Sequence, residues 1–375
     1  MPVRRWPVPV VAAAALFALT PAFAQDKPKV ESETIQFESA DAVQLQGTYY
    51  KPIMTGADKI VAAKAEADAP VVLLLHSFGG DPNLAGWDGL AVTLAARGFH
   101  VLRFDFRGHG KSTVISKTFW DPVLFPENTK VFSALARKKP LPLKLENADV
   151  KKEPGYFPML VNDVLAARVA MDKKNDAGNL NTATVYLIGA GDAATIGMMY
   201  MAAEWSRPQK PTETQAKFIK TLPSPYVEPR ESAGKDIAGA IWLSPARPPS
   251  VPEKAMKDWV KAYPDMRESN PVLCIYGDGD AAGKKVSTFI RDDMLVAKPG
   301  ANSKLNKLSF TDVREVPKTK LTGIDLFNKV PDTEKYILDY LTALEKDRKN
   351  VQKVVNRNYN DSPFIPPTVF GATIK

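Results

Sequence analysis

Short apolar runs alternate with amphipathic stretches along most of the chain. Val71 to Leu75 is a continuous apolar run bounded by Pro70 and Gly79-Gly80. It is too short to span a membrane and suits a strand buried on both faces. Trp87, Leu90, Ala91, Leu94 and Ala95 then recur at helical spacing, Gly98 ends that helix, and Val101 to Phe106 resumes a strand. Upstream, Ile35 to Phe37 and Val43 to Tyr49 predict two early strands joined by a turn at Ala40-Asp41, and a charged, alanine-rich connection follows over 55–69.

Residues 113–158 break this rhythm with repeated prolines and the basic run Arg137-Lys138-Lys139, which predicts an excursion from the sheet. Leu160, Val161, Val164, Leu165 and Val169 mark a second amphipathic helix. Thr184 to Ile188 mark another central strand, ending at Gly189. Ile196, Met198, Met199 and Met201 continue into a helix, where core packing explains the methionines better than a ligand groove or metal site does. After a proline-broken connection over 206–235, Ile237 to Leu243 and Pro271 to Tyr276 predict two further strands. A last strand is expected near Leu305 to Val313, then a helix carrying Tyr336, Ile337, Tyr340, Leu341 and Leu344. The fold class expected is α/β, a mainly parallel, doubly wound sheet with helices on both faces. Val351 to Lys375 carries Asn, Pro and isolated aromatics without periodicity, so a tail is expected there.

The N-terminus changes the address. Arg4 and Arg5, the apolar stretch Val8 to Leu19 and Ala22-Phe23-Ala24 read as a secretory signal over 1–24, with cleavage before Gln25 and a periplasmic or extracellular destination. A globular domain over 25–350 is expected to follow, and nothing after the signal reads as a transmembrane helix. The single cysteine, Cys274, lies in an apolar strand-like run, so no intrachain disulfide forms and burial as a small hydrophobe is its expected state. Without Arg4 and Arg5 the chain has 48 basic and 42 acidic residues, a mild excess of +6. The basic runs at Arg137 to Lys139 and Lys346 to Arg357 could meet an anionic surface, but they lack the aromatic interleaving or motif of a nucleic-acid binder.

Two turns carry a family resemblance. Val72-Leu-Leu-Leu-His76-Ser-Phe-Gly-Gly80 and Phe104-Asp-Phe-Arg107-Gly-His109-Gly-Lys-Ser112 resemble the turns after the third and fourth strands of the α/β-hydrolase superfamily, in its dienelactone hydrolase and serine aminopeptidase-like branch. Leu187 to Ala194 is similar to that family's nucleophile elbow, and Pro271 to Asp280 to its acid-bearing strand and turn. The resemblance covers about residues 32–345, with the insertion outside it.

The resemblance implies a catalytic triad whose nucleophile and histidine are absent. An ungapped reading of Gly189-Ala-Gly-Asp-Ala193 against G-x-S-x-G puts Gly191 where the serine belongs. The family's histidine follows the acid, yet His76, His100 and His109 all precede the elbow, and Thr322 stands in the expected turn. Threonine cannot accept and return a proton near neutral pH. Asp280 fits the acid position, with Asp278 as the nearby alternative, and each reads better as a turn or surface carboxylate once the imidazole is gone. The oxyanion hole would use the backbone N–H groups of Phe78 and Asp192, and an ionised Asp192 would oppose a negative charge there. His76 and His109 are expected to hold the turns together.

Three readings follow. The first is a non-catalytic pseudohydrolase that binds a small molecule or a protein. The second is a hydrolase of ester or related bonds with displaced chemistry, in which Asp192 is the nucleophile, as the one-residue shift Ala190-Gly-Asp192-Ala-Ala194 allows. The third is an envelope structural protein that docks through its tail and basic helix. No cofactor is indicated. Asp105, Asp192, Asp278 and Asp280 show no metal-ligand spacing.

Overall fold

The computed structural model describes residues 29–56, 59–63, 65–78, 84–206, 232–295, 311–348, 351 and 364–365. The expected signal segment, most of the 206–235 connection and most of the tail lie outside them.

Eight strands form one sheet in the order β1-β2-β4-β3-β5-β6-β7-β8. β1 (Ser32–Glu38) and β2 (Gln44–Tyr50) are antiparallel to each other, and β2 is antiparallel to β4 (His100–Phe104). β3 (Pro70–Leu75) runs parallel to β4 and to β5 (Asn181–Ala190). β6 (Ile237–Leu243), β7 (Val272–Gly277) and β8 (Asp312–Val316) extend the parallel sheet.

Every residue of β3, β5, β6 and β7 is buried, as continuous apolar runs in a sheet covered on both sides require. The two-residue period of a strand divides β3 between two cores. Val71, Leu73 and Leu75 join one, with α5 (Val161–Asp176) and α6 (Ala193–Ser206). Val72 and Leu74 join the other, with α1 (Leu84–Ala96) and α11 (Pro331–Arg348). Met198, Met199 and Met201 are fully buried in the first core. Cys274 is buried there too, and burial pushes its thiol up to about 12.

The insertion is built from short helices: α2 (Pro126–Val131), α3 (Ser133–Ala136) and α4 (Asn147–Lys151), with 3-10 turns at Lys117–Trp120 and Pro154–Leu160. Two helices not anticipated from the sequence, α7 (Glu253–Ala262) and α8 (Pro264–Ser269), lie between β6 and β7. Ala255, Met256, Trp259 and Val260 form the buried stripe of α7 at helical spacing. α9 (Ala281–Thr288) follows β7, and α10 (Ile324–Lys329) follows β8. The last strand differs from expectation: it starts at Asp312, whereas 305–310 lie outside the described residues. Of the tail, Phe364 and Ile365 rest on the domain. Asn162 exchanges two amide bonds with the Ile365 backbone, at 2.8 and 3.1 Å, and Phe364 packs edge-on against Phe125.

Candidate functional site

The connection after β3 leads to α1 on one face of the sheet, and the one after β5 leads to α6 on the other. Neighbouring parallel strands whose connections part in this way open a crevice at their C-terminal ends, where ligands of α/β sheets bind. The residues singled out from the sequence converge on this edge.

Gly191 stands at the bend between β5 and α6 with φ +57°. Only glycine adopts that conformation without cost. The bend is held by the end of β6: Gly191 N–H donates to Leu243 O at 3.0 Å, and Ala246 N–H donates to Gly191 O at 2.8 Å. A Cβ added at Gly191 would lie 2.8 Å from Ser77 Oγ and 3.2 Å from Ser77 Cβ. The hydroxymethyl group of Ser77 therefore stands against the space that a side chain at the apex would enter.

Asp192 is directed across the crevice. Its Oδ1 accepts from the backbone N–H of Phe78 at 2.7 Å and from Ser77 Oγ at 2.9 Å. It does not serve its own helix: Ala194 N–H donates to Gly191 O, and Thr195 N–H to Asp192 O. A carboxylate of the chain thus takes the Phe78 donor that the resemblance assigns to the oxyanion hole. The expected opposition to an incoming anion becomes direct occupation, because the short approach of carboxylate to N–H is the strong, charge-assisted kind.

The three histidines are held by backbone groups or, for His100, a tyrosine. Phe106 N–H donates to His76 Nε2 at 3.0 Å, which leaves the proton on Nδ1, 3.0 Å from Ser77 O. Burial, then the neighbouring His109, pushes His76 down to about 3. His109 places Nδ1 3.2 Å from Arg107 O and Nε2 3.3 Å from Phe78 O; burial lowers its pKa despite those acceptors. Their rings meet edge to face, 4.9 Å between centroids. The pair ties the β3 and β4 turns together. His100 sits at the far end of β4, bonded to Tyr49 Oη and Glu66 O.

The acid candidates also serve the backbone. Asp280 caps α9 by accepting Gly283 N–H at 2.8 Å. Asp278 accepts Lys318 N–H at 2.6 Å and Thr319 N–H at 2.8 Å, and these two bonds hold its carboxyl below the usual range. Both bonds fasten the β7 turn to the loop after β8. That loop carries exposed Thr322 and returns to the bend, since a Cβ on Gly323 (φ +58°) would lie 3.5 Å from Ala190 Cβ. Gly191, Asp192, Ser77, Phe78 and Thr322 therefore share one neighbourhood, with His76 and His109 just below it. Asp105 is bonded within its own turn, to Lys111 N–H at 3.2 Å. Among the described residues no group of three or more His, Cys, Asp or Glu is placed to hold a metal ion.

Sequence reasoning missed two features here. Ser77 borders the apex space, and nothing in the sequence distinguishes it from other turn serines. Arg107 is fully buried beneath the β4 turn and bonds Asp41 at 2.5 and 2.8 Å, Asp163 at 2.6 and 2.8 Å and Tyr156 Oη at 2.6 Å. Its partners lie 49 to 66 residues away, beyond any local pattern. Burial works to raise Asp41, but the Arg107 charge and the Arg107, Ser39 and Asn128 bonds leave it below its ordinary range. For Asp163 burial prevails and its carboxyl is raised. Two sizeable grooves lie elsewhere: about 460 Å³ between β1 and α5, and about 350 Å³ between β8 and α11.

Comparison with known proteins bears on the fold. A family model described as alpha/beta hydrolase fold matches residues 70–174, from β3 to α5. The uncharacterised protein YfhR of Escherichia coli K12 is 32% identical over 81 residues, which are 22% of this chain. The match spans a quarter of that relative, 25% of its length. An esterase of Pyrococcus furiosus, PF2001, aligns at 17% identity and TM-score 0.43, over 84% of this chain and 91% of its own. A dienelactone hydrolase from Anabaena variabilis aligns at 12% identity and TM-score 0.44, over 85% and 98%.

Proposed function

We propose that this chain, which has the α/β-hydrolase fold, is an exported binding protein that does not turn over esters. One observation carries the reading: the apex of the bend has no side chain, and a carboxylate of the chain itself takes the N–H that a hydrolase keeps for its oxyanion. Gly191 supplies no attacking atom, the Ser77 hydroxymethyl borders the vacated space, and Asp192 holds the Phe78 N–H. The ring nitrogens of His76 and His109 face backbone groups, and among the described residues no hydrogen bond links an imidazole to the Ser77 hydroxyl or the Asp192 carboxylate. Loss of a serine or a histidine from a comparable triad costs about 10⁶ in turnover, and loss of both costs little more. A crevice without its triad can still bind, so a small molecule or a protein segment is the proposed ligand. Asp192 as a carboxylate nucleophile gains no support, because the same oxygen accepts two hydrogen bonds and no imidazole is directed at it to activate water.

Export rests on the signal-like pattern over 1–24, and it is tested by the N-terminal mass of the secreted or periplasmic protein, expected to start at Gln25. The binding reading is tested by incubating purified protein with a fluorophosphonate serine probe and weighing it intact. The expected result is no adduct; stoichiometric labelling at Ser77 would overturn the reading.

A further inference from the structure

The insertion has a surface that the crevice does not use. Among the described residues the exposed large hydrophobics are Val114, Val123, Leu124, Leu141 and Leu143, and all five belong to this one segment. Val123 is 84% exposed and Leu124 56%. Isolated exposed apolar residues are ordinary, but five within thirty or so positions of one segment are a concentration that points to contact with something else.

Hydrogen bonds tie together the stretches that carry them. Val114 pairs with Lys144 in an antiparallel bridge, and Ile115 N–H donates to Leu143 O at 3.1 Å. Trp120 Nε1–H donates to Pro142 O at 2.7 Å, which ties the stretch leading to Val123 and Leu124 to the one that carries Leu141 and Leu143. The Asp121 carboxylate fixes that turn by accepting both the Val123 and Leu124 N–H groups, at 2.8 and 3.1 Å. The base beneath is buried and hydrogen-bonded. Asn128 and Tyr156 join the buried Arg107 network, and Phe132 packs on Tyr156 with ring centroids 4.6 Å apart.

Charge identifies the partner. Exposed Arg137, Lys138, Lys139 and Lys144 frame Leu141 and Leu143, and the sequence from Lys130 to Lys144 has no carboxylate. Exposed aliphatic side chains set among cations are the composition of a surface that lies on an anionic bilayer: the apolar tips enter the headgroup boundary while the cations stay with the phosphates. A nucleic acid would call for stacking aromatics, and Phe119, Trp120, Phe125 and Phe132 are all buried.

We propose that the 113–158 insertion docks this protein onto an anionic lipid bilayer through Val123, Leu124, Leu141 and Leu143 with Arg137 to Lys139. This goes beyond the crevice reading and does not depend on it. The test is co-sedimentation with vesicles, using chain that starts at Gln25 so that the apolar leader cannot insert by itself. Vesicles of equimolar phosphatidylglycerol and phosphatidylcholine should carry the protein down, and vesicles of phosphatidylcholine alone should carry far less. Replacing Arg137, Lys138 and Lys139 together by Gln should weaken partitioning by about a hundredfold. Val123→Ser with Leu124→Ser, both on the surface and so compatible with folding, should weaken it by about tenfold or more. The proposal is overturned if the unaltered protein stays in solution with the anionic vesicles at low salt. It is overturned equally if the serine pair changes nothing while salt abolishes binding, since that is plain polyanion attraction.

Discussion

Residue 191 shows how a sharp bend selects its residue. The sharp strand-to-helix bend demands positive φ, and glycine supplies it without strain. A side chain there meets two costs, the left-handed conformation and Ser77 Oγ at 2.8 Å. Gly191→Ala is therefore expected to lower stability by about 1–3 kcal/mol in urea denaturation, and Ser77→Gly in the same chain should recover the contact part only. Gly191→Ser is expected to create no esterase, because a serine without an imidazole stays a weak nucleophile. At the neighbouring position, Asp192→Ala should free the Phe78 amide and raise its hydrogen exchange at least about tenfold, the loss of one charge-assisted bond. Asp192→Asn keeps an acceptor oxygen and should change the exchange far less; equal exchange in both variants would mean that Asp192 does not hold this amide.

At the scale of elements, the buried strands and the main helices were legible because their periodicity is local. The apolar run Ile237 to Leu243 coincides with β6, and Gly98 follows the end of α1 at φ +97°. The first turn of the crevice was legible in outline, since Gly191 and Thr322 followed from spacing against a family pattern. The contacts were not. That Asp192 reaches the Phe78 N–H, and that Asp278 fastens the loop after β8, depends on packing between elements more than 35 residues apart. The Arg107 network belongs here as well, because it joins the β1–β2 turn, the β4 turn, the insertion and α5. Arg107→Ala would leave Asp41 and Asp163 buried with no cation. A loss of about 3–5 kcal/mol is expected in equilibrium unfolding, and a loss below about 1 kcal/mol would show that those carboxylates do not depend on Arg107.

For the whole molecule, His76 makes stability depend on pH in a definite window. Its folded pKa of about 3 lies below the ordinary 6.5, so between those values the unfolded chain binds a proton that the folded chain refuses. The stabilisation is complete above about pH 6.5 and is lost as pH falls towards 3, by up to about 1.4 kcal/mol per unit. His109, lowered in the same direction, steepens the fall. His76→Asn keeps an acceptor but no titrating ring, and urea midpoints measured across the window should flatten with it; an unchanged slope would place the titration elsewhere.

The parallel sheet gathers Gly191, Asp192, Ser77 and Phe78 at one edge, and the insertion presents exposed apolar and basic side chains outward. The most direct measurement of the central claim is steady-state hydrolysis of short p-nitrophenyl esters by the purified protein, prepared in parallel with the Asp192→Ala variant to reveal contaminants. Binding without turnover gives rates equal to buffer for both. Turnover of about 1 s⁻¹ or faster that co-purifies with the chain and disappears with Asp192→Ala would contradict it.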